Sequence, residues 1–450
     1  MNLIEKYNTP GPRYTSYPAV PFWSETPGQD QWKDAVRFTF SNTNRREGIS
    51  IYIHLPYCES LCTYCGCNTR ITVNHAVEEP YIHAVLKEWS MYLELFEETP
   101  VIRELHLGGG TPTFFSAENL AQLVSAILES GHLAPDAELS FEAHPASTTE
   151  AHLDLLYKTG FRRISLGIQD FDPQVQDIIN RRQSFDMVKQ VTETARRIGY
   201  TSVNYDLIYG LPLQNRQSIM KTIGLVNQLQ PDRIAFYSYA HVPWIKPGQR
   251  RYSEDDLPSG TEKRMLYETG RALLEDSGYA EIGMDHFALK TDPLYTAAGS
   301  GELHRNFMGY TTGQTQLLIG LGVSAISDTW YAFAQNQKTV EAYLVAVSEN
   351  QFPLMRGHLL DREDLIIRQH ILNLMCRFST SWHEAYEQCE AVSEAVEKLR
   401  EMEKDGLVKL ELTRTEITPA GRAFLRNICM AFDARLHRKE IVQKTFSTTV

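Results

Sequence analysis

Ile49-Ser-Ile-Tyr-Ile-His-Leu-Pro-Tyr-Cys-Glu-Ser-Leu-Cys-Thr-Tyr-Cys-Gly-Cys67 decides how this chain is read. Ile49–Leu55 alternates and is rich in β-branched and aromatic residues, which predicts a strand. The strand runs directly into a loop holding four of the seven cysteines, Cys58, Cys62, Cys65 and Cys67, within ten residues. Cysteines packed that densely point to a metal centre. The C-x3-C-x2-C core suits an iron–sulfur site, where thiolates are the usual ligands. Structural zinc, the competing reading, favours paired C-x2-C knuckles across a longer gap. A disulfide inside so short a loop would be strained.

Working outward, the strand-then-helix pattern recurs. A helix-period stretch at 81–96 follows the cysteine loop. Strands at 102–107, 138–142, 164–168, 202–208 and 233–239 then alternate with helices starting near 117 and 150 and ending near 198, 229 and 276. Six such repeats joined by short loops predict a parallel sheet with crossover helices, and their uniformity favours a full or partial barrel. In such barrels the C-terminal strand ends carry the chemistry. Here those ends hold the cysteines, Gly108-Gly109-Gly110-Thr111-Pro112-Thr113, Glu142, Gln169 with Asp170, Asp206, and Tyr239-Ala240-His241. The glycine run lacks the spacing of a dinucleotide fold and the lysine of a P-loop. Beside a metal loop it is expected to let a small molecule approach the backbone. Glu142 at the mouth is placed to accept both hydroxyls of a ribose.

With 450 residues, 42% of them hydrophobic, the chain can bury a sizeable core in two or three domains. A net charge of −12 argues against a general nucleic-acid or anionic-membrane binder. The N-terminal residues have no apolar core for a signal peptide, and no run approaches the ~20 apolar residues of a membrane span. A cytoplasmic protein with reduced thiols is expected. Cys376, Cys389 and Cys429 then read as buried small hydrophobes.

The cysteine loop after the first strand, the glycines after the second and the glutamate ending the third together resemble the radical S-adenosylmethionine (SAM) enzymes. The resemblance implies a [4Fe–4S] cluster held by three cysteines, with one iron left open for the amino and carboxylate groups of SAM. It also implies reductive cleavage of SAM to a 5′-deoxyadenosyl radical that abstracts hydrogen. The cofactor supplies that chemistry, and the protein holds and shields it.

A narrower resemblance rests on six separated segments: Tyr7-Asn-Thr-Pro-Gly-Pro-Arg-Tyr-Thr-Ser-Tyr-Pro18, Cys65-Gly-Cys67-Asn68, Leu166-Gly-Ile-Gln-Asp-Phe171, Asp206-Leu-Ile-Tyr-Gly-Leu-Pro212, Gly283-Met-Asp-His-Phe-Ala288 and His304-Arg-Asn-Phe307. Together they resemble the oxygen-independent coproporphyrinogen III oxidases. What that implies is anaerobic decarboxylation of two propionates of coproporphyrinogen III to vinyls, giving protoporphyrinogen IX for haem synthesis. Two SAM molecules are consumed, with an electron donor and a terminal electron acceptor as further partners, and the enzyme is expected to be a monomer. The implied fold is α/β, a partial (β/α)6 radical SAM barrel with an N-terminal arm and a smaller, mainly helical C-terminal domain.

Carried over by position, Cys58, Cys62 and Cys65 are the implied cluster ligands, and Cys67 is the family's nearby, non-ligating fourth cysteine. The first SAM is implied to meet Tyr52, Gly109, Glu142 and Ile326, and the second Tyr64, Gly110, Thr111, Gln169, Arg181, Asp206 and Ala240. Cys67 and Phe307 are the candidates for a catalytic part. The chain departs from the family at Met308, where a glutamine is usual, and at Ala143-His144-Pro145 after Glu142. A thioether there supplies packing where the amide would hydrogen-bond.

The substrate carries four carboxylates, for which Arg13, Lys246, Arg250, Arg251 and Arg305 are candidates by type. Residues 1–36 are expected to form an arm draped over the barrel, a lid suiting a reaction that must exclude solvent. Residues 37–350 are expected to form the barrel and its extension. Residues 351–450 are expected to form helices with a small β-hairpin, resembling a winged helix; acidic residues through 387–403 speak against DNA binding there and for packing against the barrel. Two rival functions share the superfamily: a haem chaperone and haem-degrading methyltransferases. The chaperone lacks both the Pro-Gly-Pro-Arg-Tyr-Thr-Ser-Tyr-Pro arm and the Gly-Cys pair, and both are present here.

Overall fold

A computed structural model describes residues 3–438 and 446–449. Six parallel strands form its centre: β1 (Ile49–Leu55), β2 (Val101–Gly109), β3 (His132–Ala143), β4 (Arg163–Gln169), β5 (Ser202–Tyr209) and β6 (Arg233–Ser238). They pair in sequence order, each with the next, as expected for a curled (β/α) unit. The crossover helices include Glu78–Leu93, Ala117–Leu128, Glu150–Lys158, Phe185–Ile198 and Arg216–Leu229.

Alternation within each strand sets the layers. Ile49, Ile51, Ile53 and Leu55 are fully buried against the helix layer, and Leu105, Leu107, Leu139, Phe141, Ile164, Leu166, Val203, Leu207, Ile234 and Phe236 join the same core. Each such side chain contributes roughly 1.5–3 kcal/mol relative to exposure. The intervening positions, among them Ser50, Glu104, Glu138, Ser165, Asn204 and Arg233, turn to the inside of the barrel. There Ser50 donates to Glu104 at 2.7 Å, and Arg163 pairs with Glu138.

The sheet continues past the six predicted strands, to twelve. Leu318–Leu321 pairs parallel to β1, and Ile326–Asp328, Ala332–Asn336 and Leu354–Leu359 extend that edge antiparallel. At the other edge His286–Leu289 pairs antiparallel with β6, and Tyr279–Gly283 lies outside it. The segment after the hairpin His304–Asn306/Gly309–Thr311 crosses the barrel's lower opening. It is tied there by Thr311 to Glu104, Thr312 to Glu138 at 2.8 Å and Thr315 to Ser50 at 2.6 Å.

The expected limits of the arm and of the C-terminal region fall inside structural units. Position 36 lies within the helix Gln29–Thr43, whose Trp32, Val36 and Phe40 are buried in the main core. Position 351 precedes Leu354–Leu359, a strand of the large sheet. We place the arm at residues 3–28 and the start of the C-terminal unit near Asp361. That unit holds three antiparallel strands where a two-stranded hairpin is expected, because Ser379–Ser381 adds to Arg414–Ile417 beside Val408–Leu410. The arm lies on this unit in its first half and on the edge of the large sheet in its second: Tyr14 donates to Asp433 at 3.0 Å, Asn427 donates to Tyr7 O at 2.9 Å, and Leu359 N–H donates to Glu25 O at 3.1 Å. No helix among the described residues is long and apolar enough to cross a membrane.

Candidate active site

A cavity of about 650 Å³ opens at the C-terminal ends of β1–β6 and reaches down into the polar interior. Cys58, Cys62, Cys65 and Cys67 all line it. Their loop is pinned from several sides. Cys65 N–H donates to Cys62 O at 3.1 Å in a tight turn, and Thr63 N–H donates to Ile179 O at 2.9 Å. Asn180 reaches Leu61 O at 2.8 Å, and Lys246 reaches Cys67 O at 3.0 Å.

The donor set suits an iron–sulfur cluster. The Arg181 guanidinium stands 3.6 Å from Cys62 Sγ. Burial pushes the Cys58 thiol up to about 11, so metal must displace its proton. Among the described residues no three His, Cys, Asp or Glu side chains converge tightly enough to grip one ion. A cluster does not ask for that, since each thiolate meets a different iron.

Beside the cysteines, the glycine turn and the β3 glutamate form one unit. Gly109 has φ +114°, and its N–H donates to Glu142 Oε2 at 3.0 Å. A Cβ on Gly108 would stand 3.0 Å from the Tyr52 ring and 3.2 Å from the Glu142 carboxyl carbon, so the turn has no room for side chains. His106 Nε2 lies 3.7 Å from Glu142 Oε1. Burial works against the Glu142 charge, but His106, the Gly109 N–H and His54 hold the carboxyl below its ordinary range. Asp206, on β5, accepts from Ser165 Oγ at 2.9 Å and Asn204 Nδ2 at 3.0 Å. Burial and the Glu142 charge push Asp206 up to about 6. The mouth thus carries an ionised acceptor and a second carboxylate that titrates near neutrality.

Tyr64, Gly109, Gly110, Thr111, Glu142, Gln169, Arg181 and Asp206 line this same cavity. Thr111 Oγ1 is 3.3 Å from Cys58 Sγ. Arg181 is held by Gly167 O at 2.6 Å, while its buried Nε has no partner among the described residues. Four candidates stand off the cavity wall. Tyr52 backs Glu142, with its hydroxyl 3.0 Å from His54 Nδ1. Ile326 sits half-buried against Gly320, and the Ala240 carbonyl accepts from Gln249 at 3.2 Å. Phe307 turns into an aromatic group with Phe333 and Trp23, and its neighbour Met308 faces the cavity instead.

The cavity also holds side chains that the strand-end reading missed: His106, Ser140, Ser165, Asn204, Tyr237 and His286. All but His286 sit at inward positions of the barrel strands. A polar residue at every second position of a strand was the signal that could have found them.

Comparison with known proteins fits this geometry. The Radical SAM superfamily model matches residues 52–226, which span β1 to the helix after β5. The chain is 40% identical over 448 residues to the oxygen-independent coproporphyrinogen III oxidase of Escherichia coli, covering 98% of this chain and 96% of that one. It is 38% identical over 457 residues to the Synechocystis enzyme of the same description, covering 100% and 97%. This chain belongs to the oxygen-independent coproporphyrinogen III oxidase family. The solved structure of the Escherichia coli coproporphyrinogen III oxidase, a radical SAM enzyme, superposes with a TM-score of 0.88 at 38% identity, covering 94% of this chain and 97% of that one. Agreement over so much of both chains shows that the shared fold extends well beyond the barrel.

Proposed function

We propose that this chain oxidatively decarboxylates two propionates of coproporphyrinogen III to vinyl groups, giving protoporphyrinogen IX. The observation that carries the reading is the convergence of Cys58, Cys62 and Cys65 with the Gly109–Glu142 unit and Asp206 on one cavity. Family membership supplies the substrate class, since relatives alike over nearly their whole length carry that description.

Cys58, Cys62 and Cys65 would hold the [4Fe–4S] cluster, and Cys67 would stay unligated beside it. When bound, the cluster and SAM supply a hydrogen-atom abstraction that no side chain provides. Each propionate loses that hydrogen, CO2 and one further electron. The electron that cleaves SAM comes from a reducing donor, and the substrate's electron leaves to a terminal acceptor. Glu142, kept ionised, would accept hydrogen bonds from the hydroxyl or ammonium groups of the first SAM, where the side-chain-free Gly108–Gly110 backbone lets it approach. Arg181 and Asp206 offer opposite charges to the carboxylate and ammonium of the second SAM. Tyr52 and Ile326 would act from behind the wall, Tyr52 through its hydrogen bond to His54. The cytoplasm suits the free state of all seven cysteines.

The test is anaerobic purification, cluster reconstitution, and incubation with SAM, reductant, coproporphyrinogen III and a cell extract supplying the acceptor. Protoporphyrinogen together with 5′-deoxyadenosine is expected. Deoxyadenosine without product, accompanied by tight haem binding, would move the function to the chaperone or haem-degrading branch.

A further inference from the structure

Behind Tyr237, His286 and Tyr310 of the cavity wall lies a group of four cations, of which Arg305 and Arg426 are buried and Arg13 and Lys263 half-buried. Arg13, from the arm, donates to Ser238 O at the end of β6. Lys263, on the helix Gly260–Asp276, donates to Tyr239 O at 2.9 Å. Arg426, on the helix Leu425–Phe432, is 7% exposed and donates to the carbonyls of Gly11 and Pro12. Arg305, on the strand His304–Asn306, is 9% exposed, and its Nε and Nη1 have no hydrogen-bond partner among the described residues. Its guanidinium carbon stands 4.6 Å from the centroid of the Tyr310 ring.

All four cations lie within electrostatic reach of one carboxylate, Asp285, in the turn between Tyr279–Gly283 and His286–Leu289. Asp285 makes no ion pair with any of them among the described residues. Four cations therefore face one anion, and the hydrogen bonds that three of them do make end on backbone carbonyls. Buried charge is stable only when paired, so this surplus calls for a further anion. The Lys263 ammonium registers the same imbalance, because burial and the nearby Arg13 and Arg426 charges push it down to about 7. The group adjoins the cavity directly: Tyr237, one residue before Ser238, His286, one residue after Asp285, and Tyr310, under Arg305, all line it.

We propose that this cluster seats a propionate carboxylate of the substrate, with Arg305 as the direct ligand and Arg13, Lys263 and Arg426 as the surrounding positive field. The proposal rests on the coproporphyrinogen reading and gives the arm a role in binding, since Gly11, Pro12 and Arg13 tie Arg426 and the end of β6 into one anion site. A planar guanidinium with two free N–H groups suits a carboxylate better than a point charge does.

The probe is coproporphyrin III, the air-stable tetracarboxylate, titrated by fluorescence into the reconstituted enzyme. Arg305→Met and Lys263→Met are each expected to weaken its binding at least tenfold and to raise the KM for coproporphyrinogen III by a similar factor. Arg305→Lys should recover part of both. The tetramethyl ester of the same porphyrin, which has no carboxylate, should bind weakly and show no difference between wild type and variants. Unchanged cluster absorbance and thermal midpoint report that each variant folds. If Arg305→Met does not fold, Arg305→Lys and Lys263→Met carry the test. Wild-type affinity and KM in folded variants would overturn the site while leaving the function standing. Inorganic phosphate that protects the wild type against heat without competing with coproporphyrin III would overturn it too, as a site for a small anion. A wild-type enzyme that fails to decarboxylate coproporphyrinogen overturns the functional reading instead.

Discussion

Replacing Glu88 by glutamine should remove a pH dependence from the stability of this protein. Glu88 lies on the helix Glu78–Leu93 with no exposed surface. Its carboxylate accepts from Gly322 N–H at 2.8 Å, Asn336 Nδ2 at 2.7 Å and the Tyr343 hydroxyl at 2.7 Å. It thereby fastens the helix after the cysteine loop to the Gly320–Ile326 turn beside the proposed SAM site. Burial outweighs those three hydrogen bonds and raises Glu88 from its ordinary 4.5 to about 7. The folded state therefore holds the proton more tightly than the unfolded chain does. The resulting stabilisation is fully present below the unfolded value, declines as pH rises, and is gone above the folded value. Counting 1.36 kcal/mol per pKa unit, the whole window amounts to roughly 3 kcal/mol, of which roughly 2 kcal/mol falls between about pH 5.5 and about pH 8.

For a chain of this length unfolding as one unit, with an entropy of about 2 cal/mol/K per residue, 2 kcal/mol moves the thermal midpoint by about 2 °C. Scanning calorimetry of the reconstituted wild type and Glu88→Gln at several pH values gives the difference in midpoint, in which the other titrating groups cancel. The advantage of the wild type should shrink by that amount as pH rises. A constant offset below the wild type is also expected. Glutamine turns an N–H toward donors, and a buried donor left without an acceptor costs about 1–3 kcal/mol. A midpoint difference that does not vary with pH would refute the reasoning, since it would mean that Glu88 keeps one charge state throughout.

Cys62→Ser should abolish cluster and activity together, read by iron content and visible absorbance; wild-type iron would remove Cys62 from the ligand set. Met308→Gln should stay within tenfold of the wild-type rate, because the thioether only packs at the cavity wall; a loss beyond about 1.4 kcal/mol of transition-state stabilisation would give it a specific role. Gly110→Ala should cost more than tenfold in kcat/KM, since the new Cβ would lie 2.6 Å from the Pro56 carbonyl and must push the glycine turn off the cysteine strand. Unchanged kinetics would show that the turn moves freely.

The six barrel strands are legible because buried apolar residues recur at alternate positions along each and a helix follows. The helix Gly260–Asp276 has a legible start because Ser259 and Glu262 form a capping box. β3 begins six residues before its expected start at 138. Its first half, His132–Ala137, contains Pro135 and is largely exposed, so neither composition nor alternation marks it as a strand. The six strands that complete the large sheet between 279 and 359 were missed for a different reason. Each is three to six residues long, and their pairing at the two sheet edges is fixed by tertiary contact that no local pattern records.

The cavity itself was more legible than the residues that line its far side. Parallel strands covered on both faces read as nearly continuous apolar runs. Here the inner face carries Ser50, Tyr52 and His54, then Glu104 and His106, then Glu138, Ser140 and Glu142, then Arg163 and Ser165, then Asn204 and Asp206. Polar groups at every second inward position must either pair with one another or face a polar ligand: Glu104 and Glu138 pair with Ser50, Thr311 and Arg163, while Glu142 and Asp206 line the cavity. The cations are another matter. Of the five basic residues named for the substrate, Arg13 and Arg305 reach the cation cluster, Lys246 caps the cysteine loop, Arg250 donates to Pro243 O on the surface, and Arg251 is exposed. Lys263 and Arg426 are not among them. Sequence shows that a residue is basic, but a surface arginine and a buried one are the same letter. What separates them is which carbonyls and rings close over them, and those come here from residues 11–13, 238–239, 285 and 310.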